Sequence, residues 1–568
     1  MRFAPARWVT FVVMLLLTEL AAAQYAPPKE PIPPPPADVV IQNAMVMTPD
    51  GWKSAVAISG GAIVAVGSKD DVARHLATDT RVLDAKGATV LPGLHDMHVH
   101  ALGAGLTEYS CKIPHGSPPE SILAIVEGCA DEAELGEWIT GRAFESESFG
   151  DTPPHRTMLD EAAPGNPVVL TDISGHTNWA NSEALEIAGV TRDTPDPDGG
   201  IIERDAQGEP TGLLRESAGM LVGKHVPPPS RQRNAEALAW ALEEMLAQGI
   251  TTYTDAGVSL AGAVAYADLA DQGVLKHRVR GCLNVRDERL ISLRSYFARD
   301  RFSPSCVKIV LDGVPTDGHT AAMLDNYMPL PGGRSDEGRE KGLLLIPAEE
   351  LVAMVKRFDA MGMTIKFHAA GDAAVRQALD AIEATRAAHG FTGPLHDVGH
   401  NSFVHMDDIR RARSLAATFE FSPYIWYPNP IIGDIRRAIG EERMKRWIPV
   451  KDALGAGALS VPGSDWSVVP SVNPWLALET LVTRQVPGGG GEVLGAQESI
   501  SLQQAFDMFT MASARHMNMA HVTGSIEAGK RADLIIVDQN IFEVPITKLH
   551  ETRVLHAFID GEEVYSAR

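Results

Sequence analysis

The sequence predicts an α/β protein: a (β/α)8 TIM barrel with a composite β-sandwich built from both chain ends and a large insertion after strand 1. Three observations predict it. Short β-rich runs alternate with helical stretches through the middle of the chain, which is the signature of strand–helix units with a parallel sheet. Short apolar strands broken by glycine turns stand at both ends, flanking that different texture. One gap, 101–229, is far too long for a loop inside a strand–helix unit. Composition agrees with a sizeable folded core: 568 residues, 45% hydrophobic and 22% charged. With 50 Lys+Arg against 73 Asp+Glu, the net charge is −23 and no basic stripe offsets it, which excludes a general nucleic-acid binder.

In chain order, Arg2 and Arg7 precede an apolar run over 8–20, and Ala21-Ala22-Ala23 offers small residues for cleavage. Residues 1–23 therefore read as a secretory signal peptide. The run is shorter than the ~20 residues a spanning helix needs, so no stable membrane insertion is expected after cleavage, and the protein is expected to be periplasmic or secreted. Residues 24–37, with prolines at 27, 28, 31 and 33 to 36, form a stiff extended linker. The runs at 38–66, with turns at Asp50-Gly51 and Gly60-Gly61, share their texture with 529–538 and 554–565, so 38–88 and 520–568 are assigned to one sandwich. Barrel strands are expected at 89–100, 251–255, 279–285, 307–312, 364–369, 397–400, 417–421 and 459–465, with helices such as 234–248, 348–361 and 373–389 between them. The barrel domain is 89–519, with 101–229 an inserted subdomain. Four cysteines exclude a disulfide scaffold; Cys111 and Cys129 could pair in an exported protein, or all four could be buried thiols.

Chemistry falls on strand ends, where a barrel of this class keeps its active site. His98 and His100 alternate onto one side of the first strand and form a metal-ligand pair by geometry. Lys308 lies in an apolar strand, where an ammonium is costly unless its charge is changed or neutralised. His368, His400 and Asp465 end three further strands. Singly, each has a bland explanation as a buried histidine, an ion-paired lysine or a capping carboxylate. Jointly, imidazoles and carboxylates around one point are the ligand set of zinc or a similar divalent ion.

The segment from Val90 to His100, reading Val-Leu-Pro-Gly-Leu-His-Asp-Met-His-Val-His, resembles the strand-one signature of the amidohydrolase superfamily. Further matches at Gly175-His176, Trp179, Val307-Lys308, His368 to Ala373, Gly463 to Trp466 and Gly524 to Leu534 resemble its amidohydrolase-3 (YtcJ-like) branch, which includes N-substituted formamide deformylase. The resemblance runs from about Asp38 to Tyr565. It implies that His98 and His100 hold one metal and His368 and His400 a second. Lys308, carboxylated by CO2, would bridge them, and Asp465 would bind the first metal and shuttle the proton of the hydrolytic water. The cofactor is then one or two divalent ions per chain, expected to be Zn2+. Three departures stand out: Gly399 replaces the glutamate usual before His400, so a supporting carboxylate is missing; Val314 to His319 replaces a Gly-Ser-Arg turn; and Lys366 is a rival to Lys308, which has the better motif match.

The expected activity is hydrolysis of a C–N bond in a small N-acyl, N-formyl or cyclic amide by metal-activated hydroxide. The alternatives are an esterase or carbamate hydrolase, or a non-catalytic binding or regulatory protein on the same fold. Tyr424, Trp426 and Tyr427 on the loop after strand seven, and His176 and Trp179 in the insertion, are candidates to bind a small-molecule substrate; a homo-oligomer is left open. No GxSxG elbow, HExxH or P-loop competes.

Overall fold

The computed structural model describes residues 35–567, apart from 115, 151, 173–176, 198–199, 317, 330–337, 339, 423–427 and 429. The signal peptide and most of the linker expected at the N-terminus lie outside these residues, as do His176, Tyr424, Trp426 and Tyr427.

Eight parallel strands form the central sheet: β1 Leu94–Val99, β2 Ile250–Val258, β3 Arg278–Asn284, β4 Phe302–Val310, β5 Thr364–Ala369, β6 His396–His400, β7 Ala417–Phe421 and β8 Leu459–Pro462. They neighbour one another in chain order. Beyond β8 the chain closes the ring on β1: Asp465 N–H donates to His98 O at 2.7 Å, and Val99 bridges Trp466 in parallel. Helices cover the outside, so the strands are buried on both faces; β1, β6 and β7 are buried throughout, as a covered parallel sheet requires. The helices carry ordinary start signals. Ser230 caps Arg231–Ala247 through Arg233 N–H, and Ser259 caps Leu260–Asp271 through Gly262 N–H. Helix Ala348–Ala360 buries Leu351, Val355 and Phe358, one stripe at helical spacing.

Thr89–Pro92, expected as the start of the first barrel strand, instead pairs antiparallel with Leu534–Val537 in a six-stranded terminal sheet. A four-stranded sheet that includes Val39–Gln42 and Ala55–Ser59 packs against it, and Ile41, Val56, Ile58, Val90, Leu534, Ile536 and Phe558 share one core. Both chain ends thus build one sandwich, joined to the barrel through Gly93 and by Arg278, which donates to Asp533 at 2.8 Å and Asp560 at 2.6 Å. β4 starts at Phe302, earlier than expected, because Phe302 is fully buried and stacks on Tyr266.

The insertion has its own six-stranded sheet and its own core. Two disulfides are present: Cys111–Cys129 ties its edge strand to helix Pro119–Glu132, and Cys282–Cys306 joins β3 to β4, so none of the four thiols is free.

Candidate metal centre

His98 and His100 leave β1 toward Asp465, whose Oδ1 lies 3.4 Å from His98 Nε2 and 3.3 Å from His100 Nε2. Lys308 Nζ on β4 is 3.1 Å from the same His98 nitrogen. His368 Nδ1 on β5 is 3.1 Å from His400 Nε2 on β6, and the rings of His98 and His400 stand 4.7 Å apart. Five strand ends therefore deliver all six expected residues to one place. His98 is 1% exposed, whereas His100 is 31% and His368 19% exposed, so the cluster opens to solvent on one side.

The donor set fits a divalent cation. One nitrogen or oxygen from each of His98, His100 and Asp465 lies within 4.8 Å of the others, and so do donors of His98, His400 and Glu420. Burial, with the Lys308 and Lys366 cations, holds His98 well below the ordinary histidine range. Burial does the same for His400, although Asp465 pulls the other way, and it brings His368 down to about 4. All three are neutral imidazoles near pH 7, the form that offers a lone pair to a metal. Burial alone would raise Asp465; His400, His100 and Lys308 outweigh it and keep the carboxyl below its usual range, hence ionised.

The two lysines separate clearly. Lys366 Nζ is wholly buried and paired with Asp397 at 3.1 Å and Glu420 at 3.3 Å. Burial works against its charge, but those carboxylates more than offset it and its pKa is raised. Lys308 is brought down to about 8, by burial first and then by repulsion from Lys366. Asp312, a conceivable partner for Lys308, accepts instead from the backbone amides of Ala322, Ala370 and Gly371 at 2.8 to 3.0 Å and braces the turn that follows His368. Burial pushes its carboxyl up to about 7.

Two site expectations change. Trp179 does not line a pocket: its indole is 0% exposed and packs against Phe144 and Phe149 at 5.6 and 5.3 Å in the insertion core. The carboxylate missing at position 399 is supplied from β7. Glu420 is fully buried and its Oε2 lies 2.5 Å from His98 Nδ1. A Cβ on Gly399 would meet that oxygen at 2.1 Å, and one on Gly463 would meet Glu420 Oε1 at 2.4 Å, so both glycines make room for it. The one available signal was an acidic residue inside the apolar run 417–421.

A model of the amidohydrolase family matches residues 81–565. The chain belongs to that family. It is 28% identical over 547 residues to an N-substituted formamide deformylase of Arthrobacter pascens, covering 92% of this chain and 97% of the relative. It is 28% identical over 526 residues to the putative amidohydrolase YtcJ of Bacillus subtilis (strain 168), covering 90% and 96%. Its fold is similar to that of an uncharacterized metal-dependent hydrolase from Pyrococcus horikoshii OT3, with TM-score 0.73 at 23% identity, over 89% of this chain and 99% of that one.

Proposed function

We propose that this amidohydrolase-family protein is a metal-dependent hydrolase that cleaves the C–N bond of a small N-acyl, N-formyl or cyclic amide. The observation that carries the reading is the convergence of His98, His100, Lys308, His368, His400 and Asp465 on one solvent-open point at the strand ends. His98, His100 and Asp465 would hold one divalent ion, Zn2+ by donor type, and His368 and His400 a second. When bound, such an ion supplies Lewis acidity and lowers the pKa of water to about 7.

This chain's own residues supply the rest. Asp465, ionised and 8% exposed, is placed to accept a proton from water and return it to the departing amine. Lys308 as an ammonium 3.1 Å from His98 Nε2 would oppose any cation there. A neutral Lys308 amine would add to CO2, forming an N–C bond and releasing a proton, and the carbamate would offer an anionic oxygen ligand, in place of an ammonium, to the ions that the histidines would hold. Lys366 stays an ammonium because two carboxylates hold it. Val310 is two residues beyond Lys308 on the same strand face and 46% exposed, so it offers an apolar wall to the substrate's acyl or N-substituent. Similarity to the formamide deformylase supports the C–N choice over esters and carbamates. The signal peptide reading and the two disulfides support an exported, periplasmic or secreted protein.

The test combines metal analysis with a substrate panel. Protein purified without chelators in bicarbonate is expected to hold about two divalent ions, and fewer in Lys308→Ala. It should release amine from N-substituted formamides or other small amides. Asp465→Asn should lower kcat about 10²- to 10⁴-fold. A metal-free parent would overturn the reading; a metal-loaded parent that turns over only esters or carbamates would replace the amide.

A further inference from the structure

We infer that Glu420 is a positioning residue whose single carboxylate fixes the ring tautomers of two histidines of the metal cluster, His98 on β1 and His400 on β6. The inference rests on the metal-hydrolase reading above.

The argument is a count of protons along one chain of contacts. Glu420 Oε2 lies 2.5 Å from His98 Nδ1 and 3.3 Å from Lys366 Nζ. A carboxylate only accepts, so His98 must carry its proton on Nδ1, and its Nε2 lone pair then faces Asp465 and Lys308. The other oxygen, Oε1, accepts the Ser422 hydroxyl proton at 3.2 Å. That hydroxyl has one proton and has spent it on Glu420. Ser422 Oγ can only accept from His400 Nδ1 at 2.7 Å, so His400 is also protonated on Nδ1 and presents its Nε2 lone pair toward His368. Both free lone pairs therefore point into the cluster. A metal-binding imidazole whose other nitrogen donates to a carboxylate, directly or through a hydroxyl, is held in orientation and made more basic.

The surroundings are shaped for this carboxylate. Glu420 sits in register with Gly399 on one side and Val461 on the other, and the glycines at 399 and 463 leave room for its carboxylate, which a Cβ at either position would strike. Lys366 supplies the counter-charge, and Asp397 on the far side of Lys366 accepts from His516, so the acidic groups here are paired rather than stranded.

The test uses the full-length protein and Zn2+ affinity by chelator competition, with the absorption spectrum of the Co2+-substituted protein as a readout of ligand geometry. Glu420→Gln offers one carbonyl oxygen, enough for His98 or for Ser422 but not both, and is expected to weaken Zn2+ binding about 10- to 100-fold and alter the Co2+ spectrum. Ser422→Ala should produce a smaller change. Because Glu420→Gln leaves the Lys366 ammonium with Asp397 as its one carboxylate partner, the double variant Glu420→Gln/Lys366→Met is the control for folding. The same loss of affinity in a double variant that melts like the parent supports the inference. Parent-like Zn2+ affinity and Co2+ spectrum in either Glu420 variant overturn it while leaving the hydrolase reading intact. A parent that binds no Zn2+ overturns both.

Discussion

His277, just before β3, is wholly buried, edge-on to Tyr253 with the ring centroids 5.4 Å apart. Burial, helped by Arg301, brings it down to about 3. The unfolded chain, with an ordinary pKa of about 6.5, binds more protons than the folded one between those values. Stability is therefore intact above about pH 6.5 and falls as the pH drops toward 3, by about 1.4 kcal/mol per pH unit from this residue. His95, brought down to about 4 by burial, acts in the same direction. His277→Phe, which keeps a ring against Tyr253, should flatten the fall of the urea midpoint between pH 7 and pH 5 and leave metal content unchanged. The convergence of His98, His100, Lys308, His368, His400 and Asp465 could be read from the sequence because parallel strands send inward-facing side chains near their C-terminal ends to one end of the barrel. Glu420 could not, because its meaning depends on register: only pairing beside Gly399 turns an acidic residue in an apolar strand into a partner of His98.

At the scale of elements, side chains that brace a segment matter as much as those that face the site. Asp312 gathers three backbone N–H groups and so fixes the turn after β5 that carries His368. Asp312→Ala would leave those buried donors unmatched at a cost of about 1 to 3 kcal/mol each before relaxation. We expect a lower melting temperature and weaker binding of the second metal ion, measured by calorimetry and chelator competition. The insertion behaves as a separate core. Trp179→Ala should destabilise it by about 3 to 5 kcal/mol, seen as early proteolysis within 101–229, with metal content at the parent level. Trp179, three residues after His176 in the sequence, has the composition of a pocket wall. Alternation along its strand, and Phe144 and Phe149 on neighbouring segments, decide that it faces inward. The alternating strand and helix runs gave nearly all barrel strands their correct places, whereas the junction at 89–92 was misassigned because an apolar strand reads the same in either sheet.

The whole molecule is a barrel with a sandwich fastened beneath it and an inserted domain rising from its first strand–helix connection. The fastening is specific: Arg278 of β3 bonds Asp533 and Asp560 of the terminal sheet, and the Asp533 side chain is fully buried. Arg278→Ala should cost about 3 to 5 kcal/mol because it leaves that carboxylate buried without its cation. Arg278→Ala/Asp533→Asn should recover part of the loss in a thermal melt. Metal binding should be unaffected at low temperature, since the fastening lies at the end of the barrel opposite the cluster. Among the described residues no helix is long and apolar enough to cross a membrane.

The composite sandwich has a consequence in time. Thr89–Pro92 leaves the ribosome about 440 residues before its partner Leu534–Val537. Until then its edge is an apolar strand with open hydrogen-bonding groups, the kind of surface that recruits other chains. Completion of the fold waits for the Leu534–Val537 strand, so a chain cut short before residue 534 cannot finish either the sandwich or the floor that supports β1. Under the export reading proposed above, this same delay would keep the chain loose enough to be threaded through a membrane before it locks.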